Sequence, residues 1–142
     1  MESIMRFLTP KSRTSYIEDK SSVRQALEKM RYHGYNALPV IDEEGRYIGT
    51  LTEGDFLWHL VNTGQTDLRE QEEVPVHALI RPQWNPPLRA DATMAELLDK
   101  VTERNFAPVV DDRGCFIVLI TRRDMLSYFA REHAEKADGE RP

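Results

Sequence analysis

Apolar residues recur at helical spacing in two separate stretches of the chain. They fall at Val23, Ala26, Leu27 and Met30 in the first stretch and at Met94, Leu97, Leu98 and Val101 in the second. The i, i+3, i+4, i+7 spacing places each set on one face of an amphipathic helix. A hydroxyl residue precedes each set, with Gln or Glu three positions later, which is the form of a capping box. The pattern therefore predicts two equivalent helices, which begin after Ser22 and after Thr93.

Each predicted helix is followed by two short apolar runs that an acidic, glycine-containing turn separates. The first pair of runs covers 37–41 and 47–51, and the second covers 106–110 and 115–120. Such runs around a turn of this composition predict strand pairs. A further amphipathic helix is predicted to begin at Thr52 and at Thr121. Each half of the chain therefore has the predicted order helix, strand, strand, helix, after a short extended lead.

The two halves are copies of one unit. Four pairs of landmark residues share a single offset of 69 positions: Pro39 and Pro108, Gly45 and Gly114, Thr52 and Thr121, Asp55 and Asp124. The helix caps upstream are 71 positions apart, so the second copy is two residues shorter between helix and strand. A common offset across so many landmarks indicates an internal repeat.

Alternating strands and helices predict an α/β (α+β) fold of two pseudo-symmetric repeats, each with a small sheet flanked by helices. We assign the first repeat to 1–61, an acidic linker to 62–73, the second repeat to 74–130 and a flexible tail to 131–142. One repeat alone has little core, because small units bury a small fraction of their surface. We therefore expect the two repeats to pack on each other.

Composition narrows the range of partners. The formal net charge is −5, which argues against general binding to nucleic acid or to anionic membranes. No apolar run approaches the roughly 18 residues of a membrane span. The apolar stretch within the first eight residues is too short and too acidic for a signal peptide. The single cysteine, Cys115, suits a reducing compartment. We expect a cytoplasmic protein.

Signatures of catalysis and of metal binding are missing from the sequence. The four histidines lack the i, i+4 spacing of a helical metal pair. With one cysteine and no paired histidines, a structural zinc site is not expected. Neither a phosphate-binding P-loop nor a Gly-x-Ser-x-Gly nucleophile elbow occurs. The sequence therefore predicts a protein that is not an enzyme and needs no cofactor.

The repeated segments carry a family resemblance. The strand LPVID at 38–42, the turn glycine and GTLTEGDF at 49–56 resemble the signature of the cystathionine-β-synthase-type (CBS) domain, and TRRDM at 121–125 repeats its end. The chain is similar to stand-alone bacterial CBS-pair proteins. This resemblance implies a tandem pair with two clefts, usually in a disk-like homodimer. It also implies ligands of the adenosine class: AMP, ADP, ATP, S-adenosylmethionine or cyclic di-AMP.

The resemblance implies that Thr52, Asp55, Thr121 and Asp124 contact the ribose hydroxyls of such a ligand. A fixed carboxylate can accept hydrogen bonds from two adjacent hydroxyls. The same Thr-x-x-Asp pattern is also an ordinary helix cap, which stabilises a helix by about 0.5–2 kcal/mol. Both interpretations stay open, and both can hold together.

Arg122 and Arg123 lie in the first turn of the last predicted helix, where exposed amides favour an anion. A guanidinium can hold phosphate through two hydrogen bonds, so these arginines are candidate phosphate ligands. The alternative is a solvated basic pair. The first copy has Glu53 and Gly54 instead, which favours the second cleft for phosphate, whereas Val118 in place of Gly49 would narrow that cleft.

Four residues near strand starts resemble the adenine-binding edges of the family: Tyr16, Tyr35, Ala37 and Phe106. Aromatic stacking on a base contributes about 1–3 kcal/mol. The alternative is that each aromatic is an ordinary core or rim residue. Function is therefore predicted to be regulatory: an adenine nucleotide binds, the shape changes, and an unknown effector protein responds. The alternative is a ligand-free scaffold of the same fold.

Overall fold

Each half of the chain forms a three-stranded sheet with helices in the computed structural model, which describes residues 3–4, 7, 15–82 and 84–140, the last six as backbone only. The elements of the first half are β1 (Ile17–Glu18), α1 (Val23–His33), β2 (Ala37–Ile41), β3 (Tyr47–Thr52) and α2 (Glu53–Thr63). A short helix, α3 (Leu68–Gln71), and a 3-10 helix (Val76–Leu79) lead to the second half. Its elements are β4 (Leu88–Arg89), α4 (Met94–Arg104), β5 (Phe106–Val110), β6 (Phe116–Thr121) and α5 (Arg122–Glu140).

The two sheets have the same topology. The strand orders are β1-β2-β3 and β4-β5-β6, with a parallel first pair and an antiparallel second pair in each. Ala37 lies opposite Thr52 in the first sheet, and Phe106 lies opposite Thr121 in the second. The predicted α/β fold of two equivalent repeats is confirmed.

Local hydrogen bonds explain where the first helix of each repeat begins. Ser22 accepts from the backbone N–H of Gln25, and the Gln25 side chain accepts from the backbone N–H of Ser22, so the box is complete. Thr93 caps α4 through its hydroxyl, whose Oγ1 lies 3.3 Å from the backbone nitrogen of Glu96 and donates to the Glu96 carboxylate. Both predicted starts are confirmed, because a cap needs only residues three positions apart.

The turn in each repeat is held by one aspartate. Oδ1 of Asp111 accepts from the backbone nitrogens of Arg113 and Cys115, at 2.8 and 2.9 Å. These bonds, that from Cys115 foremost, hold the pKa of the Asp111 carboxyl below its usual range. Asp42 makes the equivalent turn in the first repeat.

The two turns also join the repeats. Arg46 and Cys115 form an antiparallel bridge, and the Tyr47 and Phe116 rings lie 6.2 Å apart. Burial raises the pKa of Tyr47 to about 12, although its hydrogen bond with Thr50 opposes the shift. The matching positions on both sides give the junction a pseudo-twofold character.

Each hydrophobic core takes a segment from outside its own sheet and helices. The first core contains Val76, with Val74, Leu79 and Ile80 packed against it. The second core contains Ile4 and Phe7, although both lie at the start of the chain. A backbone bridge holds each segment in place: Pro75 pairs with Ser22 before α1, and Ser3 pairs with Thr93 before α4. Segments that the sequence analysis assigned to one repeat thus complete the core of the other.

The segments predicted as a linker and a tail contain helical residues. The predicted linker contains α3, which Asp67 caps and whose Gln71 is fully buried between His59 and the Gln65 carbonyl. The predicted tail continues α5 through Glu140, because its alanine, glutamate and lysine residues are good helix formers. Residues 141 and 142 lie outside the described part. Within the described ranges, no helix has the length and apolar character that a membrane span requires.

Candidate functional site

The first copy of the Thr-x-x-Asp pattern fixes a carboxylate at the junction of β3 and α2. Thr52 is the N-cap of α2, and its backbone nitrogen and Oγ1 lie 2.7 and 3.0 Å from Oδ2 of Asp55. Only 8% of the Asp55 side chain is exposed. The capping interpretation is therefore correct for this pair, and the cap leaves one edge of the carboxylate for another partner.

That partner is Arg81, which follows the 3-10 helix. Its Nε lies 2.7 Å from Oδ1 of Asp55, and its Nη2 donates to Oδ2 at 3.3 Å. The guanidinium carbon also lies 3.6 Å above the centroid of the Trp84 ring, the distance of a stacked cation–π contact. Arg81 therefore joins an acidic side chain of the first repeat to an aromatic side chain that leads into the second.

A cavity of about 520 Å³ opens beside this pair. Its walls come from the start and one face of α2 and from the 3-10 segment, and include Thr52, Asp55, Trp58, His59, Leu79 and Arg81. Sites for small ligands measure about 300–1,000 Å³. The cavity has the size, the mixed polar and apolar walls, and the paired charges that a small polar ligand requires.

The segment after Arg81 continues to the second sheet. The Trp84 ring lies 5.8 Å from that of Phe106, and Nδ2 of Asn85 donates to the Phe106 carbonyl at 3.4 Å. Asn85 is buried, and its Oδ1 has no hydrogen-bond partner among the described residues. Both repeats therefore contribute to the surroundings of the candidate site. The first repeat supplies Thr52 and Asp55, and the segment with Arg81 and Trp84 packs against Phe106 at the start of β5 in the second.

The second copy of the pattern has the same cap in a more open setting. Thr121 receives a hydrogen bond from the backbone nitrogen of Asp124 at 3.2 Å, and Oδ2 of Asp124 accepts from the backbone nitrogen of Thr121 at 2.8 Å. Asp124 is exposed, in contrast to Asp55. No ion pair to Asp124 occurs among the described residues.

The two candidate phosphate ligands of the second copy differ from each other. Arg122 turns to the end of α4, where Nε and Nη2 lie 3.1 and 2.7 Å from the carbonyl oxygens of Val101 and Thr102. Arg123 is exposed and makes no ion pair or hydrogen bond with the described residues. The occupied donors of Arg122 favour a structural role for this residue.

The remaining candidates do not line the cavity beside Asp55. Tyr35 stacks on His33 and lines a second cavity, of about 490 Å³, between α1 and α2. Tyr16 is exposed, with the Lys29 ammonium 5.6 Å from its ring centroid. Ala37 is the register partner of Thr52, and so lies next to the site through the backbone. Phe106 is buried behind Trp84.

Gly49 and Val118, which share one position of the repeat, have different surroundings. A β-carbon at Gly49 would lie 2.6 Å from Cγ2 of Ile80, so the close approach of the 3-10 segment requires glycine there. Val118 is buried in the second core.

Arg81 and Trp84 are the site residues that sequence reasoning missed. Each lies outside the repeated motifs, in the connection before β4, so the offset between copies could not reveal them. The one available signal is the sequence RPQW at 81–84, an arginine and a tryptophan in an otherwise proline-rich connection.

Known structures share this architecture. CbpB in complex with c-di-AMP is 21% identical, with a TM-score of 0.82, and the alignment covers 97% of this chain and 91% of that one. CBSX2 in complex with AMP is 24% identical, with a TM-score of 0.76, and the coverage is 94% and 99%. At this identity the likeness establishes the fold alone.

Sequence comparison identifies the family. An uncharacterised protein from Methanopyrus kandleri is 27% identical over 105 residues, which are 69% of this chain and 48% of that protein. The chain thus spans about half the length of this relative. The CBS domain family matches residues 12–62 and 80–131, one segment for each repeat. The chain belongs to the CBS domain family and carries two copies of the domain.

Proposed function

We propose that this protein is a regulatory CBS-pair module that binds an adenine nucleotide, AMP, ADP, ATP or cyclic di-AMP, in the cleft beside Asp55. The observation that carries the proposal is a cap-fixed carboxylate and a guanidinium on the wall of one cavity, with the Trp84 ring stacked against that guanidinium. A carboxylate accepts from ribose hydroxyls, a guanidinium binds phosphate, and an aromatic face stacks on a base. S-adenosylmethionine also has ribose hydroxyls and an adenine base, and it lacks the phosphate.

The two ligand-bound neighbours support this ligand class. One was crystallised with c-di-AMP and the other with AMP, on the same fold. Both ligands contain an adenine base, a ribose and a phosphate. The single cysteine supports a site of action in a reducing compartment, the cytoplasm.

A homodimer is part of the proposal. Large apolar side chains remain exposed on α2 and α5: Leu57, Trp58, Val61, Leu126 and Phe129. Apolar groups of this kind on a small protein mark an interaction surface. A second copy would cover both helices through a twofold contact, and an effector protein would respond to the ligand-bound form.

We propose further that the protein catalyses no reaction. Catalysis needs a nucleophile with a base, or a bound metal. The acidic groups of the site are used in caps and in the pair with Arg81, and no cluster of three metal-ligating side chains occurs among the described residues. Sustained phosphate release from ATP by the pure protein, abolished by Asp55→Asn, would overturn this part.

A ligand-free scaffold is the second candidate, and one observation favours it. Both oxygens of Asp55 already have protein partners, and Asp124 is used in a cap. In that case the Thr-x-x-Asp boxes stabilise the helices and bind nothing.

Thermal unfolding with and without each nucleotide separates the candidates. A ligand at 100 times its dissociation constant stabilises the native state by about 2.7 kcal/mol. Thr52→Ala and Thr93→Ala form a matched pair, since each removes one N-cap hydroxyl, worth about 0.5–2 kcal/mol. Only Thr52→Ala is expected to reduce the nucleotide effect as well. No shift with any adenine nucleotide, and no adenosine compound eluted from the purified protein, would favour the scaffold.

A further inference from the structure

Arg81 holds two groups of the cleft at once. Its guanidinium pairs with Asp55 along one edge and covers the face of Trp84 with its plane. The side chain remains 45% exposed, on the wall of the 520 Å³ cavity. A guanidinium has five N–H donors, of which the contacts with Asp55 use two. The arginine can therefore meet an incoming anion without leaving the cleft.

The two aspartates of the repeated pattern have different surroundings. Asp55 is largely buried and pairs with Arg81, whereas Asp124 is exposed and makes no ion pair with the described residues. Within the described part of the chain, the fixed carboxylate that faces a cation is therefore that of the first repeat.

The position of Arg81 sets a condition on the ligand. A ribose that takes both oxygens of the Asp55 carboxylate competes with the guanidinium, because Arg81 contacts Oδ1 and Oδ2 and Thr52 already bonds Oδ2. Displacement also uncovers the face of the Trp84 ring on which the guanidinium stacks. A neutral nucleoside offers the displaced guanidinium no negative partner, and breaking a partly buried ion pair without replacement is unfavourable. A phosphate supplies that partner through two parallel hydrogen bonds.

We propose that Arg81 is the specificity-determining residue of the first cleft and makes it select a phosphorylated adenosine over the nucleoside. On binding, the guanidinium exchanges Asp55 for the phosphate, and Asp55 and Trp84 become available to the ribose and the base. The inference rests on the proposed function, and it assigns phosphate recognition to Arg81 in place of Arg122 and Arg123.

Calorimetric titration with AMP and with adenosine tests the assignment on four proteins: the parent, Arg81→Gln, Arg81→Lys and Arg69→Gln. Arg69 is an exposed arginine on α3, so Arg69→Gln matches the change in net charge outside the cleft. We expect the parent to prefer AMP over adenosine. Arg81→Gln should lower the affinity for AMP by about 10- to 100-fold, because a charge-assisted contact is lost. The affinity for adenosine should stay the same or rise, because Asp55 no longer pairs with Arg81.

The two remaining variants test the mechanism. Arg81→Lys keeps the charge without the planar fork, so it should retain part of the preference for AMP. Arg69→Gln should bind as the parent does. Unchanged adenosine affinity in Arg81→Gln also reports that the cleft is folded.

Three outcomes contradict the proposal in distinguishable ways. If AMP binds the parent and Arg81→Gln weakens AMP and adenosine equally, Arg81 shapes the cleft and does not select phosphate. If Arg81→Gln leaves the preference for AMP intact, phosphate is held elsewhere, and the proposed function stands without this inference. If neither AMP, ADP, ATP nor cyclic di-AMP binds the parent, the proposed function and the inference are both wrong.

Discussion

The neighbouring arginines Arg122 and Arg123 allow a sharp test of how the last helix is anchored. Arg122 donates to two carbonyl oxygens at the end of α4, whereas Arg123 has no such contact with the described residues. Arg122→Gln and Arg123→Gln remove the same charge from adjacent positions of α5. Glutamine and arginine have similar helix propensities, so the two variants differ mainly in the hydrogen bonds that each substitution removes.

The magnitude follows from those hydrogen bonds. A typical intramolecular hydrogen bond contributes about 0.5–1.5 kcal/mol net, and a charged donor contributes more. A cation at a helix C-terminus adds about 0.3–1 kcal/mol. Arg122 is largely exposed, so solvent reduces both contributions. We expect Arg122→Gln to lower the free energy of unfolding by about 1–2 kcal/mol, and Arg123→Gln to change it by less than about 0.5 kcal/mol.

Urea unfolding at one fixed protein concentration measures the difference, and thermal unfolding checks it. At about 2–4 °C per kcal/mol for a chain of this size, Arg122→Gln should lower Tm by about 2–8 °C. AMP affinity should stay at the parent value in both variants. Equal stabilities of the two variants would refute the anchoring role. A tenfold loss of AMP affinity in Arg122→Gln, with adenosine unaffected, would restore the phosphate role that the sequence suggested.

Packing, burial and exposure give three further predictions. Gly49→Ala should lower the free energy of unfolding by about 1–3 kcal/mol, because the added β-carbon would lie 2.6 Å from Ile80. Gly54→Ala is the control, since its β-carbon would meet only Thr52, at 3.6 Å; thermal unfolding should show it to be neutral or stabilising. The folded-state pKa of Tyr47, about 12, lies above its ordinary value of 10.0, so its contribution to stability is complete below pH 10 and is lost as the pH rises toward 12. Urea unfolding of Tyr47→Phe across this range should show a shallower fall, and an unchanged slope would contradict the assignment. Light scattering at micromolar concentration should give twice the 16.5 kDa chain mass, and Leu126→Lys should give the monomer; a monomeric parent would exclude the proposed dimer.

Local patterns explain why the elements could be predicted. Each cap joins a hydroxyl to a backbone nitrogen three residues away, as in Thr52 with Asp55, so the sequence contains both partners. The turns at Asp42 and Asp111 are equally local. The offset of 69 positions then indicates that two copies of one unit are present. The family resemblance, the repeats and the mixed fold all depend on such short-range information.

The candidate site depended on contacts that no local pattern contains. Arg81 and Asp55 are 26 positions apart and meet because the 3-10 segment packs over the first sheet, where Gly49 lets Ile80 approach. The sequence made Arg122 a candidate phosphate ligand and did not reveal Arg81. Only the packed structure directs its guanidinium to the end of α4.

The sequence by itself therefore determined the repeated unit, its helix caps and turns, and the two Thr-x-x-Asp positions, because these features are encoded within a few residues of the chain. The tertiary structure alone decided that the segment before each sheet packs into the core of the other repeat. It also decided that Arg81, rather than Arg122, faces a fixed carboxylate. The physical reason is that side-chain direction and charge pairing across distant segments follow from how apolar surfaces are buried together. That burial is set by the whole chain and not by any one motif.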